Sequence, residues 1–129
     1  KLSFMIMYLI GYNFYHNKEK WTYDMLAQHL GLPQESLEST IKELEDKNLI
    51  LEVGEDPVFY LPAKAIEAIT LEEIIDAARV NKETTFLENR YLSKPEVDLV
   101  TENIDGAIRG VLGELTLRDL VLNKMDKVP

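Results

Sequence analysis

The chain has no cysteine among its 129 residues. Disulfides, zinc–thiolate sites, iron–sulfur clusters and cysteine nucleophiles are excluded together. It is also short of positive charge: 14 Lys and Arg stand against 23 Asp and Glu, a net −9, so the surface as a whole repels free nucleic acid. Histidine occurs twice, as His16 and His29, on separate predicted helices. There is no glycine-rich phosphate loop, no nucleophile elbow and no zinc-ligand spacing. No catalytic residue, cofactor or metal is therefore expected. The most apolar run, "LSFMIMYLIGYNFY", falls short of the roughly 18–20 residues that a membrane span needs, and no small-residue cleavage site follows it. Because the chain opens at Lys1 and not at Met, the expectation is a piece cut from a longer protein, with the cut falling after a span.

What is present is globular. Apolar residues make up 46% and charged residues 29%, which suits one domain with a proper core. Leu2 to Tyr15 reads as a first helix, apolar nearly all round, to be buried or held in an oligomer interface. Thr22 is placed to cap a helix over Tyr23 to Leu30. Gly31 ends that helix and Pro33 opens the next, over Gln34 to Lys47, with Leu37, Ile41 and Leu44 at i, i+4, i+7 as its buried face. "NLILEV", the turn "GEDP" and "VFYLP" read as a hairpin pairing Leu49–Val53 with Val58–Leu61. Helix, helix–turn–helix and hairpin, in that order, predict a mostly α winged helix–turn–helix with a small β-hairpin wing. Ala27, Gly31 and Leu37 fit its small, turn and buried positions. Thr70 with Glu73, and Ser93 with Glu96, read as capping boxes for two further helices, the second reaching about Leu115. Thr116 caps a last short one. "ITLEEI" and "LTLRDL" echo each other as repeated capping chemistry. Residues 81–94 read as a loop. The whole is one domain over residues 1–129, with a winged helix in 1–62 and a C-terminal helical extension in 63–129.

Charge argues against the use this fold suggests. From Trp21 to Pro62 there are two basic residues, Lys42 and Lys47, and nine acidic ones, with "GEDP" at the tip of the wing. Phosphate contacts come chiefly from Lys, Arg and backbone amides, so nucleic acid is disfavoured as a partner of this face. Gln34, Glu35, Glu38, Ser39, Lys42 and Glu43 are the candidate partner-facing residues, either a solvated face or a docking surface for a basic protein. Asp98, Glu102 and Asp105 share one helical face and read as a solvated stripe. Gly106, Gly110 and Gly113 also share a face of the long helix. Each glycine costs about 1 kcal/mol relative to alanine there, so close approach of another element is expected. Packing inside the monomer and packing across a homodimer are both open, with the first helix as a second contributor to a dimer.

Two resemblances follow from these residues. "LAQHLGLPQESLESTIKELEDKNLI", "FYLPAKAIEAITLEEIIDAAR" and "GELTLRDL" resemble the cytoplasmic C-terminal domain of the YihY/BrkB membrane proteins, the ribonuclease BN-like family. That likeness implies a non-catalytic domain on the cytoplasmic face of a bacterial inner membrane, anchored through upstream spans and working through protein contacts or self-association. Its label implies tRNA processing, for which no residue here is suited. The layout also resembles the Rrf2-type transcription regulators: a winged helix–turn–helix, a long dimerisation helix and an ending like "LTLRDL". That likeness implies a dimeric DNA-binding regulator. This chain has neither the basic recognition elements nor the cysteine cluster of that family.

Overall fold

The computed structural model describes residues 1–78 and 95–124. The loop expected over 81–94 and the Ser93 cap lie outside these, as do the side chains of Asp98 and Asp105. Helix α1 (Leu2–Tyr15) leads into a two-residue strand β1 (Trp21–Thr22), then α2 (Tyr23–Leu30), α3 (Gln34–Asp46), β2 (Ile50–Val53) and β3 (Phe59–Pro62). Helix α4 begins at residue 71 and is described to 78; α5 (Pro95–Leu112) and α6 (Leu117–Val121) complete the chain. This is the winged helix with a helical extension that the residue spacing predicts. The bounds of α1 and α2 agree residue for residue.

Local chemistry explains each boundary. The Thr22 hydroxyl accepts from the Met25 amide at 3.2 Å, and Gly31 takes the left-handed conformation (φ 61°) that closes α2 against the Ala27 carbonyl. The sheet has three antiparallel strands in the order β1-β3-β2, one more than the hairpin expected from sequence. Strand β1 is only "WT", too short for an alternating pattern, and it exists because Trp21 and Thr22 pair with Tyr60 and Phe59. Glu52 lies opposite Tyr60 in the β2–β3 ladder.

One core joins both halves of the chain. It gathers Ile6, Met7 and Ile10 of α1, Leu26 of α2, Leu37, Ile41 and Leu44 of α3, Tyr60 of the wing, and Ile69, Ile74, Leu115, Leu117 and Val121 of the extension. Only one stripe of α1 is fully buried, through Ser3, Ile6, Met7, Ile10 and Gly11. That buried face packs within the monomer, against α3, β3 and α6, while Met5, Phe14 and Tyr15 stay exposed.

The echo of "ITLEEI" and "LTLRDL" has a structural use beyond capping. The two segments pair antiparallel at Thr70 and Thr116. The Leu71 amide donates to the Leu115 carbonyl at 2.9 Å, and the Leu117 amide to the Ile69 carbonyl at 2.8 Å, a locally two-fold clasp. Each threonine also caps its own helix. Thr70 accepts from the Glu73 amide at 3.1 Å and Thr116 from the Asp119 amide at 3.3 Å. The clasp seats α6 on α1, where a Cβ on Gly11 would meet Leu117 Cδ2 at 3.0 Å and Val121 Cγ2 at 3.3 Å. Gly11→Leu is expected to destabilise the fold by about 1–3 kcal/mol through overpacking, read from urea unfolding. Gly11→Ala should stay within about 1 kcal/mol of the parent, because its helix-propensity gain offsets the displaced Leu117 methyl.

Candidate interaction face

Helix α3 and the wing present one continuous acidic face. Leu37, Ile41 and Leu44 turn into the core, which forces the intervening residues outward. Gln34, Glu35, Glu38, Ser39 and Lys42 are exposed and Glu43 is half-buried, so five of the six residues singled out from sequence form a common outer surface. The Gln34 side-chain amide donates to Glu38 Oε1 at 2.8 Å, and the Tyr23 hydroxyl donates to the Gln34 carbonyl at 3.3 Å. Residues 21–62 carry −7 of the chain's −9, so the charge deficit is concentrated on the element that would meet a nucleic acid.

Between α3 and the wing lies a shallow recess of about 240 Å³, lined by Tyr23, Glu38, Ile41, Lys42, Glu45, Glu52 and Tyr60. Glu45 comes from α3 and Glu52 from β2, and both line this recess. Burial first, then the neighbouring Glu52 carboxyl and the Asp46 charge, push the Glu45 carboxyl up to about 7. The neighbouring Tyr60 hydroxyl is pushed up to about 12 by burial and by the charges of Glu52 and Glu45. Burial and the Glu38 and Asp24 charges also raise Tyr23. Sequence reading misses this pair. Glu45 looks there like one more acid, and nothing in residue spacing places a helix carboxylate against a strand carboxylate.

A second recess, of about 260 Å³, is lined by Trp21, Met25, Gln28 and His29. The His29 ring meets Trp21 edge-on at 5.3 Å. The indole N–H is buried and has no hydrogen-bond partner among the described residues. Among the described residues, no group of three His, Cys, Asp or Glu side chains is placed to hold a metal, and no helix is long and apolar enough to cross a membrane.

The long helix α5 offers a different surface. Among the described residues its contacts lie toward its C-terminal end. Arg109 pairs with Asp76 at 2.9 Å, a Cβ on Gly113 would meet Glu72 Oε2 at 3.0 Å, and Val111 and Leu112 pack on the core. A Cβ on Gly106 or Gly110 would meet nothing within 4 Å, so the three glycines do not share one partner among the described residues. Leu99 (59% exposed), Val100 (56%), Ile104 (54%) and Ile108 (46%) are large apolar side chains left in solvent. Helical geometry places Val100, Ile104 and Ile108 with Ala107 on a stripe away from the glycines, while Leu99 sits beside them.

No sequence-family model matches the chain, and no curated protein matches it in sequence. Solved structures match the fold. The global cysteine regulator CymR of B. subtilis is 21% identical with a TM-score of 0.67, over 95% of this chain and 92% of that one. CymR of Staphylococcus aureus is 20% identical with a TM-score of 0.66, over 92% of this chain and 91% of that one. IscR of T. potens is likewise 20% identical with a TM-score of 0.66, over 92% of this chain and 79% of that one. These likenesses give no support to the YihY/BrkB resemblance. The chain therefore has the fold of these winged-helix regulators over nearly its whole length.

Proposed function

We propose that the chain is a non-enzymatic, dimeric winged-helix regulator of the Rrf2 type, pairing through α5 and presenting its α3–wing faces to DNA. One observation carries this reading: the likeness to B. subtilis CymR extends over 95% of this chain and 92% of that one, so it takes in α5 as well as the winged helix. The resemblance read from sequence assigns that long helix to dimerisation. The exposed apolar stripe on α5 supports the assignment, because side chains as exposed as Val100 and Ile104 gain most from a second copy. Gly106 and Gly110 lie on another face of α5, so the apolar stripe and not the glycines carries the assignment. Ile104→Glu is expected to convert a dimer to monomer in sedimentation while leaving the helical circular dichroism unchanged. A variant that still sediments as a dimer would remove α5 from the interface.

The acidic face shapes what DNA binding would look like. Lys42 and Lys47 are the basic residues between Trp21 and Pro62, so affinity of the α3–wing face must lean on hydrogen bonds from Gln34, Ser36 and Ser39 and on base contacts. With two lysines per protomer, the slope of log K against log salt should be no steeper than about −4 for a dimer. Selection from a random duplex pool at low salt is expected to enrich one sequence, and Glu38→Gln should tighten its binding several-fold by removing a carboxylate from the face. A pool with no enrichment would overturn the DNA reading. The net −7 of residues 21–62 favours a second reading in that event, in which the same face docks a basic protein surface.

A further inference from the structure

We infer that the recess between α3 and the wing is a binding site for an extended organic cation, a linear aliphatic polyamine. The lining has the composition that such a ligand needs. Glu38 and Glu45 from α3 and Glu52 from β2 supply three carboxylates, Tyr23 from α2 and Tyr60 from β3 supply two phenols, and Ile41 supplies apolar surface. Lys42 is the single cation of the lining, so three carboxylates face one ammonium. Acidity by itself would suit a solvated face equally well. Tyr60 separates the two readings. It is 6% exposed and still lines the recess, and its hydroxyl has no hydrogen-bond partner among the described residues. The phenol oxygen is thus an acceptor that the described protein leaves unused, and an ammonium N–H can fill it. A hydrogen bond from a charged donor to a site this sheltered is stronger than one on open surface.

The spacing of the carboxylates selects the shape of the cation. Glu38 and Glu45 both belong to α3 and stand two turns apart, which separates their backbones by about 10 Å along the helix axis. Among the described residues no three acids gather round one point to hold a metal. A compact ion therefore reaches one end of the recess at a time. A linear polyamine reaches both, with one ammonium at Glu38, another beside Glu45 and Glu52, and its methylenes along Ile41. The two tyrosine rings add cation–π attraction. Like charge at the wing end supports the same polarity: burial, Glu52 and Asp46 already raise Glu45, and a cation placed there relieves that repulsion. The site stands on the recess and not on the DNA reading. Where the face does meet DNA, a bound polyamine lowers its repulsion of the phosphates.

Calorimetric titration of the intact chain with spermidine tests this, in about 0.1 M salt so that attraction beyond about 10 Å is screened. Saturable binding of one spermidine per chain is expected. Tyr60→Phe keeps the ring and should weaken it about three- to tenfold through the one lost hydrogen bond. Glu45→Gln should weaken it at least as much. Glu35→Gln removes the same charge from an exposed position of α3 outside the recess, and should change binding less than about twofold. Lys42→Met should tighten it by removing the competing cation. If Tyr60→Phe melts below the parent, the two glutamate variants and Lys42→Met carry the comparison. Equal weakening by Glu35→Gln and Glu45→Gln would reduce the effect to diffuse counterion attraction and overturn the site. A folded Tyr60→Phe that binds like the parent, or a titration without saturation, would overturn it as well. No readout here involves DNA, so failure leaves the regulator reading standing, and failure to select a duplex leaves the polyamine site standing.

Discussion

The seam between α1 and α6 is the contact on which the rest of the fold depends. It brings the first helix and the last against each other, and it is close because Gly11 leaves room where Leu117 and Val121 arrive. Around it, Ile6, Met7 and Ile10 close the base of the winged helix, and the Thr70–Thr116 clasp holds α6 in place. Extension and winged helix thus share one hydrophobic core. The cost of ordering each helix is met by burial that both halves supply. A helix as short as α6 would not persist alone, and its capping box and its seat on α1 together explain why it forms.

That closed core leaves two surfaces for function. One is the apolar stripe of α5, which the described part of the monomer does not cover. The other is the acidic face of α3 and the wing. They differ in physical character. The first gains free energy from being covered by another apolar surface, whereas the second repels polyanions and holds much of its charge in solvated carboxylates. A regulator built this way would draw its dimer stability from α5. On DNA it would rely on hydrogen bonds and shape more than on counterion release, which makes it weak on random sequence.

The fold is largely legible in the sequence because its signals are local. Leu37, Ile41 and Leu44 declare the buried side of α3, Thr22 and Gly31 mark the ends of α2, and Thr70 and Thr116 open their helices. What is illegible depends on long-range pairing. Strand β1 is two residues that become a strand only beside β3. Glycine misleads for the same reason: Gly106 and Gly110 stand out as a motif, yet a close approach within the monomer is at Gly11, whose partners lie more than a hundred residues away in sequence. The outer face of α3 can be read from periodicity. The Glu45–Glu52 pair cannot, since it requires knowing which strand residue the helix meets.

Pairing of two copies through α5 is the step from this fold to a regulator, and the absence of native cysteine makes it directly measurable. A single Glu102→Cys variant places a spin label on the exposed α5, off its apolar stripe. Electron–electron resonance should then give one narrow intermolecular distance of about 20–40 Å, as two helices packed about 8–10 Å apart require. A trace with no dipolar modulation beyond the background of freely diffusing monomers would contradict the dimer, and with it the regulator assembly proposed for this chain.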